Sequence, residues 1–217
     1  MVPKSLKSCD KALDEPMRFG LRERNKLGKE RAIRAAARSL FVERGYAATT
    51  LRAVAERADV GFGTVFSYAT DKAGLLAMVF VEELKALPPL FAPSASKRSP
   101  MDELIDGLAH LYEFWASIPE LSWDVLQQME FYVSNPHMDL IVERRNQARR
   151  ELTSWLEGLR IEGRIADDVD VAQAADTLFA VYTSAVREWS VSTPGDVGRG
   201  LVRLRALMTL PMRGLRP

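Results

Sequence analysis

Residues 50–68 read TLRAVAERADVGFGTVFSY, and the spacing inside this stretch decides the fold of the N-terminal part of the chain. Leu51, Val54, Ala55 and Ala58 recur at three- and four-residue intervals behind Thr50, a good helix-capping residue, which predicts a short helix. A second short helix is predicted from about Phe62 to Ala69. Two helices that cross closely need a small residue at the crossing, and Ala55 supplies it. Four residues later the turn calls for left-handed backbone, and Asp59 is one of the few non-glycine residues that tolerate positive φ. Val54, Ala58, Val60, Val65 and Tyr68 take the positions that pack the pair on each other and on a preceding helix. The pattern fits a helix-turn-helix, although a generic αα-hairpin satisfies the same spacing.

Outward from this stretch the periodicity stays helical. Ile33, Ala37, Leu40 and Phe41 precede Gly45, predicting a helix over roughly 27–45 that ends at the glycine. Asp71 caps a fourth helix carrying Leu75, Leu76, Val79 and Phe80 toward Leu87. Pro88-Pro89 and the stretch APSASKRSP at 92–100 mark a domain boundary. Beyond it, helices are expected over 101–117, 120–134 and 137–160, followed by the stripe Val171, Ala175, Leu178, Tyr182, Ala185, Trp189 and a last helix from Pro194 with Val197, Leu201, Leu204 and Met208. No segment alternates with period two for long, so the chain reads as all-α with about nine helices. The expected division is an arm over 1–24, a helix-turn-helix domain over 25–72 and a second domain over 73–217, with 73–87 as connector.

Composition supports two modules with different partners. Of 217 residues 47% are hydrophobic and 27% charged, enough for a substantial core. Residues 1–80 hold 15 Lys and Arg against 9 Asp and Glu, a net of +6, while the other 137 hold 15 against 20, a net of −5. The single cysteine, Cys9, excludes an internal disulfide and multi-cysteine metal sites. No run reaches the length of a membrane span, and the first twenty residues carry acids and no apolar core, so a cytoplasmic protein without a signal peptide or membrane partner is expected. No enzyme is expected. Gly61-Phe62-Gly63 lacks the strand and third glycine of a phosphate loop. His110 and His137 have no HxxxH or HxH partner, and Glu130, Asp139, Asp167 and Asp168 read as solvated faces or caps, so neither a metal nor a cofactor is expected.

The wider segment Lys29–Leu76 closely resembles the N-terminal DNA-binding domain of the TetR family of bacterial transcriptional regulators. The resemblance rests on Phe41, Gly45 and Tyr46, Thr49-Thr50, Val54-Ala55, Val60, Gly63-Thr64-Val65-Phe66, Tyr68, Lys72 and Leu75-Leu76, and spans about 48 residues. It implies a homodimer that binds a palindromic double-stranded DNA operator, usually repressing, and that releases it when a small molecule enters the second domain. Carried over position by position, the residues at the DNA are Thr50 and Arg52 at the start of the second helix, Gly61, Phe62, Gly63 and Thr64 opening the recognition helix, then Phe66, Ser67 and Tyr68, and Lys72 as a phosphate contact. Phe62 stands where the family often has Lys, Arg or a small polar residue, Phe66 where it usually has Tyr, and Ala69 replaces a customary aromatic. That leaves the recognition helix poor in hydrogen-bonding groups, with Arg18, Arg22, Arg24 and Lys26 of the arm as supplementary cations.

For the second domain, a small hydrophobic ligand is expected among Leu108, Leu111, Trp115, Trp123, Gln127 and Met129. The wide apolar stripes of the last two helices suggest a four-helix dimer contact through Ala175, Leu178, Tyr182, Ala185, Trp189, Leu201, Leu204 and Met208. A helical protein-interaction module without DNA binding is the alternative reading.

Overall fold

The computed structural model describes residues 20–91, 98–131 and 134–217, and among these there are nine helices and no strand. The helix-turn-helix consists of α1 (Leu21–Ala48), α2 (Leu51–Arg57) and α3 (Phe62–Tyr68). Thr50 caps α2, its hydroxyl oxygen accepting from the Ala53 amide at 3.1 Å, and Asp59 in the turn has φ 51°. The Val60 amide then reaches the Ala55 carbonyl at 3.0 Å, closing the turn over the alanine. Gly45 at φ 80° interrupts α1 where a glycine stop is expected, and the hydroxyl of buried Thr49 lies 2.9 Å from its carbonyl. The helix begins earlier than its apolar periodicity indicates. Leu, Arg, Glu and Lys in LRERNKLG are good helix formers, so Arg22, Arg24 and Lys26 lie exposed on α1 itself rather than on an arm. The rest of the expected arm, with Cys9 and Arg18, lies outside the described residues, as do 92–97 of the expected boundary.

Helix α4 (Lys72–Ala86) starts at Asp71, whose carboxylate accepts from the Gly74 amide at 2.6 Å. Every residue from Gly74 to Val81 is buried, so α4 is enclosed on all sides. Its Leu75, Leu76 and Phe80 belong to the same core as Ile33, Leu40 and Phe41 of α1, and Phe80 also meets Phe114 and Trp115 of α5 at 5.8 and 6.2 Å. One continuous core therefore runs from α1 to the C-terminal helices. Those are α5 (Pro100–Ala116), α6 (Pro119–Glu130), α7 (Pro136–Ile161), α8 (Val171–Ser192) and α9 (Val197–Arg213). Ser99, Asn135, Asp170 and Asp196 cap α5, α7, α8 and α9, so the last helix starts at Asp196 rather than Pro194.

The stripes on α8 and α9 serve the chain's own core, which corrects the expected dimer contact. Ala175, Leu178, Tyr182, Ala185, Trp189, Leu204 and Met208 are buried within a single chain and Leu201 is half-buried. Their partner is Tyr112 of α5, whose ring meets Trp189 at 5.1 Å and Tyr182 at 6.1 Å, both edge-on. Trp115 Nε1 donates to the Tyr182 hydroxyl at 3.0 Å, and Trp189 Nε1 to the Asp196 carbonyl at 2.8 Å, so both indoles are satisfied, while the buried Tyr112 hydroxyl has no hydrogen-bond partner among the described residues. At Gly200 a Cβ would lie 2.6 Å from the Tyr112 ring, and only glycine lets α9 approach this closely. No single helix among the described residues is long and apolar enough to cross a membrane.

Candidate nucleic-acid interface and ligand cavity

Helix α3 buries Val65 and turns Phe62 and Phe66 outward at 47% and 49% exposure, their rings 6.3 Å apart. Large apolar side chains in water at adjacent turns need a function, since each leaves a hydrophobic contribution unrealised. The exposed Arg52 guanidinium on α2 lies 5.9 Å over the Phe62 ring, bringing a cation to the same face. Gly61 caps α3 and Gly63 is exposed with nothing within 4 Å of a would-be Cβ, so both leave the helix start open to a close-lying surface. Thr64 is half-buried beside them. Ser67 turns its hydroxyl inward, donating to the Thr64 carbonyl at 2.7 Å. Thr50, Arg52, Phe62, Gly63, Thr64 and Phe66 thus gather at the α2–α3 face.

Two of the expected DNA residues also bind their own fold. The Tyr68 hydroxyl donates to the Lys26 carbonyl at 2.9 Å, tying the end of α3 to the first turns of α1. Lys72 Nζ donates to the Ala47 carbonyl at 3.0 Å and sits 4.5 Å over the Tyr46 ring, closing the broken end of α1. Its ammonium keeps further donors for another acceptor. Across from it, burial pushes the Asp124 carboxyl of α6 upward while the Lys72 charge opposes the shift. A further contact between the helix-turn-helix and the C-terminal helices was not foreseen. His137 Nε2 lies 3.0 Å from the Tyr68 carbonyl, and burial holds its imidazole below the ordinary range, favouring the neutral donor. Only its place at the start of α7, after the Asn135-Pro136 cap, hinted at such a role. His110 instead lies 3.4 Å from Glu113 on the α5 surface, and Glu130 is paired with Arg187. Among the described residues no group of three His, Cys, Asp or Glu is placed to hold a metal.

In the C-terminal helices an apolar cavity of about 60 Å³ lies between the end of α4 and helices α5 to α8. Leu111, Trp115 and Met129 line it as expected positions. Leu108, Trp123 and Gln127 do not, because Leu108 faces the core and Trp123 and Gln127 occupy the exposed face of α6, opposite Leu126 and Met129. The remaining wall includes Leu84, Leu87, Ile141 and Ala148, and three arginines not anticipated from periodicity: Arg144, Arg145 and Arg187.

Residues 33–79 match the sequence profile described as bacterial regulatory proteins, tetR family. The helix-turn-helix and the first half of α4 thus carry the match to the TetR family. No curated relative matches the sequence. Among solved structures, the chain is similar to SmeT, the repressor of the Stenotrophomonas maltophilia multidrug efflux pump SmeDEF, with 19% identity over 87% of this chain and 90% of that one and a TM-score of 0.59. It is also similar to Thermus thermophilus FadR, a TetR-family transcriptional repressor in complex with lauroyl-CoA, at 23% identity over 85% and 94% and a TM-score of 0.58. A provisionally assigned TetR-family transcriptional regulator of Mesorhizobium loti gives 17% over 88% and 98%, with a TM-score of 0.61. The chain therefore has a TetR-family transcriptional-regulator fold along most of its length. Within the matched stretch the outward face of α3 is apolar at Phe62 and Phe66, with hydroxyls nearby from Thr50, Thr64 and Ser67.

Proposed function

We propose that this chain is a cytoplasmic, ligand-responsive repressor that binds a palindromic operator as a homodimer, residues 20–72 holding the DNA and 73–217 the ligand and the partner subunit. The observation that carries the reading is the outward display of Phe62 and Phe66 on α3 beside Arg52, in a unit whose family binds DNA. A thymine methyl is the base-edge feature such rings can touch, and Arg52 and Lys72 supply cations for phosphates. One seven-residue helix reads few bases, so specificity requires two copies related by a two-fold axis.

The dimer uses the outward faces of α8 and α9. Thr177, Ala180 and Ser184 are small and exposed there, flanked by Val191, and α9 adds Val202 and Leu210 at 73% and 80% exposure. Small residues permit close helix approach, and the exposed aliphatic side chains supply the apolar area. Ligand response draws support from the cavity at the end of α4 and from relatives of the same fold solved with lauroyl-CoA and with triclosan. The test is selection of duplexes from a random pool by the full-length protein, with binding repeated at two salt concentrations. An inverted repeat bound with steep salt dependence supports the proposal, whereas no enrichment would leave an interaction module without a DNA role.

A further inference from the structure

The cavity at the end of α4 is apolar in its walls and cationic at its rim. No Asp or Glu is among its lining residues. Of its arginines, Arg187 is held by Glu130, and Arg144, with a side chain only 10% exposed, lies 3.4 Å from Glu151. Arg145 has no ion-pair partner among the described residues. Arg144 also donates to the Pro88 carbonyl at 2.9 Å, and Glu151 accepts from the Leu90 amide at 2.7 Å. These two bonds clamp the chain leaving α4 onto α7, and Leu84 of α4 and Leu87, which caps it, wall the cavity beside the clamp. At about 60 Å³ the space is well below the roughly 300 Å³ or more that ligand pockets offer, so anything larger than a few atoms must part α4 from α7.

We infer that the cavity takes an anionic amphiphile, a carboxylate or phosphate on an apolar chain, whose head group binds Arg145 and draws Arg144 away from the Pro88 carbonyl while the chain enters between Leu84, Leu87 and Ile141. The inference rests on the ligand-responsive reading above and specifies its chemistry. Arg145 is the charge an incoming anion meets first, because it gives up no existing partner. Arg144 is the switch, because a guanidinium turned toward a carboxylate in a poorly solvated site leaves the neutral carbonyl of Pro88 for the stronger acceptor. Binding then loosens the C-terminal end of α4, the helix whose opposite end follows the helix-turn-helix.

The test uses the full-length protein, its tryptophan emission, to which Trp115 in the cavity wall contributes, and thermal melting, with octanoate, octyl phosphate, octan-1-ol and octyltrimethylammonium as probes. The two anions should bind about tenfold or more tightly than the alcohol, and the cation weakest. Arg144→Met and Arg145→Gln should each abolish that preference while alcohol binding persists; the exposed Arg145 site keeps the test valid should Arg144→Met unfold. Against a selected operator, octanoate should lower affinity more than octanol. Equal binding of octanol and octanoate would overturn the inference while leaving ligand response intact. Failure of all four probes would overturn it too, with the DNA-binding reading judged separately by selection.

Discussion

Removing the Lys72 ammonium should change stability and DNA binding by separable amounts. In the folded chain Nζ donates to the Ala47 carbonyl at 3.0 Å and lies 4.5 Å over Tyr46. At a half-exposed site the ring contact contributes about 0.5–1 kcal/mol and the hydrogen bond about 1 kcal/mol. Lys72→Ala should therefore lower stability by about 1–2 kcal/mol, a fall of about 2–8 °C in melting temperature for a chain of this length. The DNA effect has a different signature. In the proposed dimer one phosphate contact per chain is two per complex, so the slope of log K against log salt should become shallower by about 1.8. Between about 0.1 and 0.3 M KCl the variant should then lose about sevenfold less affinity than the parent. Fluorescence anisotropy on a selected operator across that range gives the slope, and thermal melting gives the stability. Lys85→Ala, which removes an exposed cation of the same helix paired with Glu82, should leave the slope unchanged. A Lys72→Ala slope equal to the parent's would refute the phosphate contact and reduce Lys72 to a cap on α1.

Phe62→Ala and Phe66→Ala should each weaken the best operator more than random duplex while leaving melting temperature nearly constant, because both rings are half-exposed in the free protein; equal losses on both duplexes would place the rings away from the bases. Val202→Glu with Leu210→Glu should give a folded monomer by light scattering, whereas Leu178→Asp with Leu204→Asp should unfold the chain, since those side chains are buried in its own core. Gly107→Ala would put a Cβ 2.4 Å from the Phe91 ring and 2.7 Å from the Leu90 carbonyl, so a loss of about 1–3 kcal/mol is expected in denaturant melts. Arg57 and Ser39 hold the Glu43 carboxyl at about 2, down from 4.5, and a depressed acid contributes stability above its unfolded value that is lost as pH falls. Melting between pH 4.5 and about 2 should show this loss, and Glu43→Gln should remove that part of the pH dependence.

Features fixed by partners three or four residues away were readable in the sequence. Thr50 and Asp71 cap the helices they precede, and Asp59 takes the left-handed turn, because cap and turn chemistry depends on adjacent backbone. The early start of α1 was missed because the expectation followed apolar spacing, and residues 22–26 at its start are exposed. The direction of the α8 and α9 stripes was misread for a different reason. Periodicity says that one face is apolar, and only the position of Tyr112 on α5 says that this face turns inward. The same limit hid the cavity rim. Arg144 and Pro88 are 56 residues apart, so their contact leaves no trace in local spacing, and an arginine on a charged helix reads as solvated.

Helix α7 touches the helix-turn-helix and the cavity at opposite ends of one α4–α7 pair. At the start of the pair, Asn135 leaves so little room that a Cβ on Gly74 would lie 3.2 Å from its Oδ1, and His137 reaches the Tyr68 carbonyl. At the other end, Arg144 and Glu151 hold Pro88 and Leu90. From Gly74 to Leu87 the α4 axis runs about 20 Å at 1.5 Å per residue. A parting of about 2 Å at the far end therefore turns α4 by about 6° about the crowded Gly74 contact. A side chain about 10 Å beyond that pivot moves by about 1 Å, which exceeds the half-ångström tolerance of a hydrogen bond. Few hydrogen-bonding groups lie on the α3 face, and the apolar contacts of Phe62 and Phe66 bear such a shift better. Release would then fall chiefly on the polar contacts of Thr64, Arg52 and Lys72, and a ligand bound at the α4 end should lower the salt slope of DNA binding together with its affinity.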